Sequence, residues 1–285
     1  MSASPYGVAV GRNRPAPPPP PPLMPLVDAH THLDACGARG TVEVAAVADR
    51  AEAVGVGAMV TVADDLDSAR WAAAAAQWDD RVYAAVALHP TRAAHLSGPA
   101  RAEIEELAAG PRVVAVGETG VDLYWPGRLE GCAPVEVQRE AFAWHIDLAK
   151  RIGKPLMIHN RDADAEVLDV LRAEGAPETV ILHCFSSGPQ MARTCIGNGW
   201  VLSLSGTVSF RNAAALREAA ALIPPGQLLV ETDAPFLTPH PYRGAPNEPY
   251  CLPYTVRALA ELLDRPAEEL AEETTATARR VYNLP

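Results

Sequence analysis

The sequence predicts a (β/α)8 TIM barrel behind a disordered, proline-rich N-terminal tail, and three observations lead there. From residue 26 onward, short apolar β-branched runs alternate with Ala/Leu/Glu/Arg-rich stretches, the pattern of βαβ units around a parallel sheet. Eight such runs fit within the ~250 residues that a single barrel commonly takes. No G-x-G-x-x-G or G-x-x-x-x-G-K-[ST] follows any of them, so the phosphate-cradling turns of open doubly wound sheets are absent.

In chain order, residues 1–25 show no apolar periodicity and end in a proline run interrupted only by Ala16, at most stiff polyproline. They are expected to be a tail, with residues 26–285 forming one domain. The predicted strands are Leu26–Leu33, Val54–Ala63, Val82–Pro90, Arg112–Gly120, Pro155–Arg161, Thr179–Ser186, Trp200–Val208 and Leu228–Pro235. Helical spacing is expected over Val42–Ala53, Leu66–Gln77, Arg101–Ala109, Val135–Ile152, Ala163–Glu174, Pro189–Asn198 and Asn212–Leu222, with Tyr254–Leu263 and Ala267–Val281 closing the chain.

Composition narrows the function classes. Hydrophobic residues at 48% and charged residues at 21% are ordinary globular values. No apolar stretch approaches the ~20 residues of a membrane span. The N-terminus lacks the basic segment, apolar core and cleavage site of a secretory signal. A soluble cytoplasmic protein, monomeric and without membrane partners, is the expectation. Five scattered cysteines with no C-x-x-C pair argue against a disulfide frame or zinc knot. A net charge of −11 argues against a broad basic surface for nucleic acid, so any phosphate recognition must be local.

The chemistry lies at the ends of the apolar runs. A buried strand that ends in His, Asp or Glu breaks its own pattern, and five of the eight histidines do so: His30, His32, His89, His159 and His183. Glu118 ends the fourth run and Asp233 the eighth. In a parallel barrel all strand C-termini share one face, where barrel enzymes keep their active sites. His30 and His32, two residues apart, share a strand face, as do His159 and Arg161. Imidazoles with carboxylates are the ligand set of zinc, manganese and similar divalent ions. Four histidines and two acids exceed what one tetrahedral ion needs, which points to two ions bridged by Glu118, with Asp233 binding one of them and taking a proton from the water. Such ions polarise a phosphoryl or carbonyl oxygen and bring the pKa of bound water toward ~7.

Glu231 shares a face with Asp233 and is expected to hydrogen-bond behind the ligands. Arg161 is placed to meet an anionic substrate with its forked donors. His89 is a candidate substrate contact, and the loop after the eighth run would bring Arg243 and Asn247 near the site. His95, His145 and His240 fall in helical or loop contexts and are expected to face solvent or pack locally.

DAHTHLD, VALHP, GETGVDLYW with Gln138 downstream, KPLMIHNRDA, VILHCFSSG, LLVETDAPFLTP and RGAPNEP, in that order through residues 26–285, resemble the TatD family of metal-dependent deoxyribonucleases. The resemblance implies an amidohydrolase-like barrel in which His30, His32, Glu118 and Asp233 hold one ion while Glu118, His159 and His183 hold the other. It also implies phosphodiester cleavage in DNA with two divalent ions (Zn, Mg or Mn), and Arg161, Arg243 and Asn247 as phosphate or substrate contacts. DNA ends or single strands fit a narrow barrel mouth better than duplex. Ala245 and Pro246 stand where the family often carries basic residues. The alternative is a two-metal hydrolase of an ester, lactone or amide, including D-aminoacyl-tRNA deacylation. Lys154 precedes its strand, so it does not supply the bridging lysine of many amidohydrolases.

Overall fold

The computed structural model describes residues 14–285. Eight parallel strands run β1 (Leu26–Thr31), β2 (Val56–Val62), β3 (Val82–Val86), β4 (Val113–Asp122), β5 (Leu156–Arg161), β6 (Val180–Leu182), β7 (Val201–Leu204) and β8 (Leu228–Val230), paired in sequence order. A bridge between Thr31 and Ala234 joins the first edge to the last. Around this barrel lie α1 (Thr41–Glu52), α2 (Leu66–Ala75), α3 (Gly98–Ala108), α4 (Val135–Ile152), α5 (Asp164–Glu174), α6 (Pro189–Gly197), α7 (Ala214–Ala220), α8 (Leu252–Leu263) and α9 (Ala267–Tyr282).

Helix ends follow local chemistry. Asp65 accepts the Ser68 N–H to start α2, Ser97 accepts that of Ala100 to start α3, and Gly153 ends α4 in the left-handed conformation. One buried apolar cluster takes residues from all eight strands, often at alternate positions (Val60 and Val62, Tyr83 and Ala85), and only α9 among the helices, so it fills the barrel interior. The larger cluster lies between the sheet and the surrounding helices.

Several strands stop sooner than the apolar runs suggest. β6 ends at Leu182 and β8 at Val230, so His183 and Asp233 lie on the turns beyond them. Cys184 (φ 41°) and Asp233 (φ 51°) take left-handed backbone that no strand can continue. β4 instead runs two residues further than expected, to Asp122.

Of the tail expected over residues 1–25, residues 1–13 lie outside the described residues. Residues 17–25, grouped with that tail by sequence, are laid against the barrel. Pro17, Pro20 and Leu23 are buried, a three-residue repeat that matches polyproline II. The carbonyls of Pro17, Pro18 and Pro21 accept from Tyr250 Oη (2.7 Å), Tyr254 Oη (2.8 Å) and Arg257 Nη2 (2.9 Å), three side chains on one face of the Pro249–Leu263 stretch. Leu23 N–H then donates to Val54 O at 2.9 Å. Prolines cannot donate, but their carbonyls accept well and a stiff chain loses little entropy on docking, which apolar periodicity does not register.

Candidate metal centre

Six side chains from five strand ends, His30, His32, Glu118, His159, His183 and Asp233, meet at the C-terminal mouth, and the strands explain how. On β5, Met157 lies in the barrel interior and His159 is one step further along the same face; Ile181 and His183 repeat this at β6. The β1 end is tied to the β8 end by His32 N–H to Ala234 O (2.7 Å) and Asp233 N–H to His30 O (2.9 Å), which sets Asp233 beside the histidine pair. Asp28, fully buried, accepts from Thr232 N and Oγ1 at 2.9 and 2.6 Å and locks the same junction. Gly120 is indispensable between β4 and β5: at φ +145°, a Cβ there would lie 2.0 Å from His159 O.

Glu118 occupies the middle. Its Oε1 lies 3.6 Å from His30 Nε2 and 3.5 Å from His32 Nε2, and its Oε2 lies 3.1 Å from His159 Nδ1 and 2.7 Å from His183 Nε2. Asp233 Oδ1 stands 3.7 and 3.6 Å from the Nε2 atoms of His30 and His32. The rings of His30 and His183 stack at 3.9 Å.

The donor atoms fit cations. His32 Nδ1 lies 3.0 Å from Val62 O and so carries the proton, leaving its Nε2 lone pair turned toward His30 Nε2 only 3.1 Å away. Two imidazole nitrogens and two carboxylate oxygens aimed at one point repel one another unless something positive lies between them. His159 has its Nε2 on Asp122 Oδ2 at 2.9 Å, so its Nδ1 faces Glu118 and His183. His183 Nδ1 stands 3.4 Å from Glu231 Oε1, an ion-pair separation without hydrogen-bond geometry. Glu231 also anchors the turn by accepting from Cys184 N at 2.8 Å, and groups with His30 and His183 closely enough to share a cation.

Protonation shows the same demand for positive charge. Burial disfavours charge on His32, yet Asp64, Asp233 and Glu118 outweigh it and carry its pKa up to about 10. His183 is likewise raised against its burial by Glu118 and Glu231, and His159 by its hydrogen bonds to Asp122 and Glu118. Glu118 is held well below the ordinary carboxylate range, against its burial, by His183 and His159. Protons here stand in for cations and compete with them. His30, by contrast, is pushed well down by burial and by its histidine neighbours, and stays neutral.

His89 differs from the other four histidines. Its Nδ1 accepts the Thr91 N–H at 3.1 Å, so the neutral ring carries its proton on Nε2, 3.3 Å from His159 Nδ1. Its ring also groups with Glu118 and His159 closely enough to share a cation. Burial holds its pKa well below the usual value.

A cavity of about 500 Å³ opens above the cluster, walled by Tyr124, Trp125, Arg161, Phe236 and Leu237, with Glu118, His159 and Asp233 at its floor. The Arg161 guanidinium lies 3.9 Å from the Tyr124 ring centre and 5.5 Å from that of Trp125. Arg243 is exposed over Phe210 on the loop whose Gly244 and Ala245 line the cavity. Asn247 does not line it. Its amide hydrogens go to Thr232 O (2.9 Å) and Phe236 O (2.5 Å), which staples the loop. His145 is buried and packs locally, whereas His95 and His240 are exposed. Lys154 donates to the carbonyls of Ala108, Gly110 and Val113, away from the cluster.

Sequence reasoning missed Asp64 and Asp122. Asp64 follows the β2 run and groups with His32 and Glu118. Asp122 carried a signal: Glu118, Gly120 and Asp122 alternate on one strand face. Ending the strand at Gly120 hid it.

A family model described as TatD related DNase matches residues 27–283. A Mycobacterium tuberculosis protein described as an uncharacterized metal-dependent hydrolase, TatD, is 73% identical over 91% of this chain and 98% of its own length. A 3'-5' ssDNA/RNA exonuclease TatD from Erwinia tasmaniensis is 33% identical over 84% of this chain and 93% of its own. Among solved structures, the TatD homolog YJJV of Escherichia coli K12 superposes with a TM-score of 0.82 at 28% identity, covering 91% of this chain and 98% of that one.

Proposed function

The chain belongs to the TatD-related DNase family of metal-dependent hydrolases, and from that premise we propose that it is a two-ion phosphodiesterase that removes nucleotides from the ends of single-stranded DNA. The observation that carries the reading is the Glu118 carboxylate, with one oxygen within 3.6 Å of the His30 and His32 nitrogens and the other within 3.1 Å of those of His159 and His183. In the proposed arrangement His30, His32, Glu118 and Asp233 hold one divalent ion and Glu118, His159 and His183 the other.

Zinc, magnesium or manganese bound there would polarise a phosphoryl oxygen and lower the pKa of a water toward ~7. Asp233, on the cavity floor, would be the carboxylate placed to take a proton there. Arg161 offers its fork to the phosphate and is held for that task by the Tyr124 and Trp125 rings. His89 donates its Nε2–H to a substrate oxygen. Arg243, at the rim, meets a neighbouring phosphate.

A strand end is favoured as substrate by the cavity, whose volume is that of a small-ligand pocket and not of a duplex groove. With a net charge of −11 the surface at large offers nucleic acid no broad hold, so Arg161 and the bound ions must do the local work. The name of the Erwinia relative, a 3'-5' ssDNA/RNA exonuclease, supports a single-stranded substrate.

The test is product analysis. Protein reconstituted with magnesium, manganese or zinc should release mononucleotides from end-labelled single-stranded DNA, and the His159→Ala protein should not. Hydrolysis of aryl esters, lactones or D-aminoacyl-tRNA with DNA left intact would overturn the reading.

A further inference from the structure

We propose that Asp122 is a positioning residue: with one carboxylate oxygen it fixes His159 as an Nδ1 ligand, and with the other it holds the aromatic wall against which substrate lies. The inference rests on reading the cluster as a metal centre, and only its KM readout rests on the proposed oligonucleotide substrate.

Asp122 is the last residue of β4 and is fully buried. Its Oδ2 accepts the Nε2–H of His159 at 2.9 Å. A neutral imidazole has a single N–H, so a proton kept on Nε2 leaves the lone pair on Nδ1, 3.1 Å from Glu118 Oε2 and 3.4 Å from His183 Nε2. The neighbouring His89 Nε2, a donor by its own tautomer, lies 3.3 Å from the same Nδ1 and agrees with that assignment.

The other oxygen faces a different element. Oδ1 accepts the backbone N–H groups of Tyr124 (2.8 Å) and Trp125 (2.9 Å), which turns the chain so that both rings line the cavity under Arg161. Asp122 is also the register partner of Arg161 across β4 and β5. The backbone that carries the carboxylate is itself secured: Asp122 N–H donates to Gln138 Oε1 at 2.8 Å, and Gln138 Nε2 donates to Ala133 O at 2.9 Å. Gln138, fully buried on α4, thereby gains a reason to be polar.

Both oxygens must accept, and only a carboxylate can supply that. An asparagine has one accepting oxygen. If its NH2 faces His159, the ring proton moves to Nδ1 and the ligating lone pair is lost; if the NH2 faces the two backbone N–H groups, the turn at Tyr124 and Trp125 is forced apart.

The experiment compares full-length wild type, Asp122→Asn and the milder Gln138→Met, which keeps the carboxylate and removes its hook. Zinc affinity is measured against a chromophoric chelator. The His159 tautomer is read by 15N NMR of the metal-free protein at a pH where the ring is neutral, and Trp125 by its emission. Asp122→Asn should lose zinc affinity by roughly 10- to 100-fold with His159 moved to the Nδ1–H form, or else keep that affinity while Trp125 emission and the KM for oligonucleotide change and kcat does not. Gln138→Met should shift the same readout less. Unchanged affinity, tautomer, emission and KM in Asp122→Asn would overturn the proposal. A wild type that takes up no zinc would sink the metal-centre reading instead, and the tautomer comparison would still decide the role of Asp122.

Discussion

His145 offers a quantitative test of how the site is braced. It is fully buried on α4, with Nδ1 2.8 Å from Ala141 O and 3.1 Å from Thr119 Oγ1, and with Nε2 accepting the Leu88 N–H at 3.3 Å. It thus ties together the residues next to Glu118 and His89. Burial pushes its pKa from 6.5 down to about 4. In the unfolded chain the ring takes a proton near 6.5, whereas the folded chain resists until about 4, so the contribution to stability is whole above 6.5 and is lost as the pH falls through that window. Each pH unit there removes about 1.4 kcal/mol, about 3 kcal/mol in all. Asp28, whose pKa burial carries up to about 8, acts in the opposite sense, since its folded form holds a proton that the unfolded form releases. A direct pH series on the wild type alone would therefore mix these two with the shifted histidines of the cluster.

The decisive comparison is with His145→Gln, which can donate to Ala141 and accept from Leu88 but cannot titrate. Urea denaturation of both metal-stripped proteins from pH 7.5 to 4 should show the variant gaining about 3 kcal/mol on the wild type as the pH falls. A constant difference across that range would refute the assignment of a neutral, buried His145.

Three further perturbations probe other parts. Glu118→Gln exchanges one oxygen for an amide nitrogen that cannot face imidazole ligands and ions together; elemental analysis should find at most one ion per chain, and kcat should drop at least ~10²-fold. Arg161→Lys removes the planar fork stacked on Tyr124, so the KM for single-stranded oligonucleotide should rise roughly 10-fold with kcat little changed, as expected for losing one charged hydrogen bond. Tyr250→Phe leaves the Pro17 carbonyl without its 2.7 Å partner, and thermal melting of the full chain should show a loss of about 1 kcal/mol.

How much of this was legible depends on what leaves a local trace. The eight apolar runs and α4, found over the residues expected, are written in periodicity, because burial on one or both faces dictates residue type every two or 3.6 positions. The six cluster residues stood out because each interrupts an apolar run at its end. Asp122 was lost by placing a strand end two residues early, and the short ends of β6 and β8 were overrun because the left-handed backbone at Cys184 and Asp233 is not signalled by a glycine. That the Asn247 amide donates to backbone carbonyls 11 and 15 residues away left no trace in its loop's composition.

The amino-acid sequence by itself determined the alternation of strand and helix, and with it the one face on which the histidines and acids must gather, since parallel strands send every C-terminus the same way. Only the tertiary structure decided which nitrogen of each imidazole faces the centre, that Asp122 stands behind His159, and that a proline strap rests on Tyr250 and Tyr254. For His32, His159 and the strap these matters are settled by hydrogen-bond partners 30 to 236 residues away in the chain, and no local pattern of residue types encodes contacts at that range.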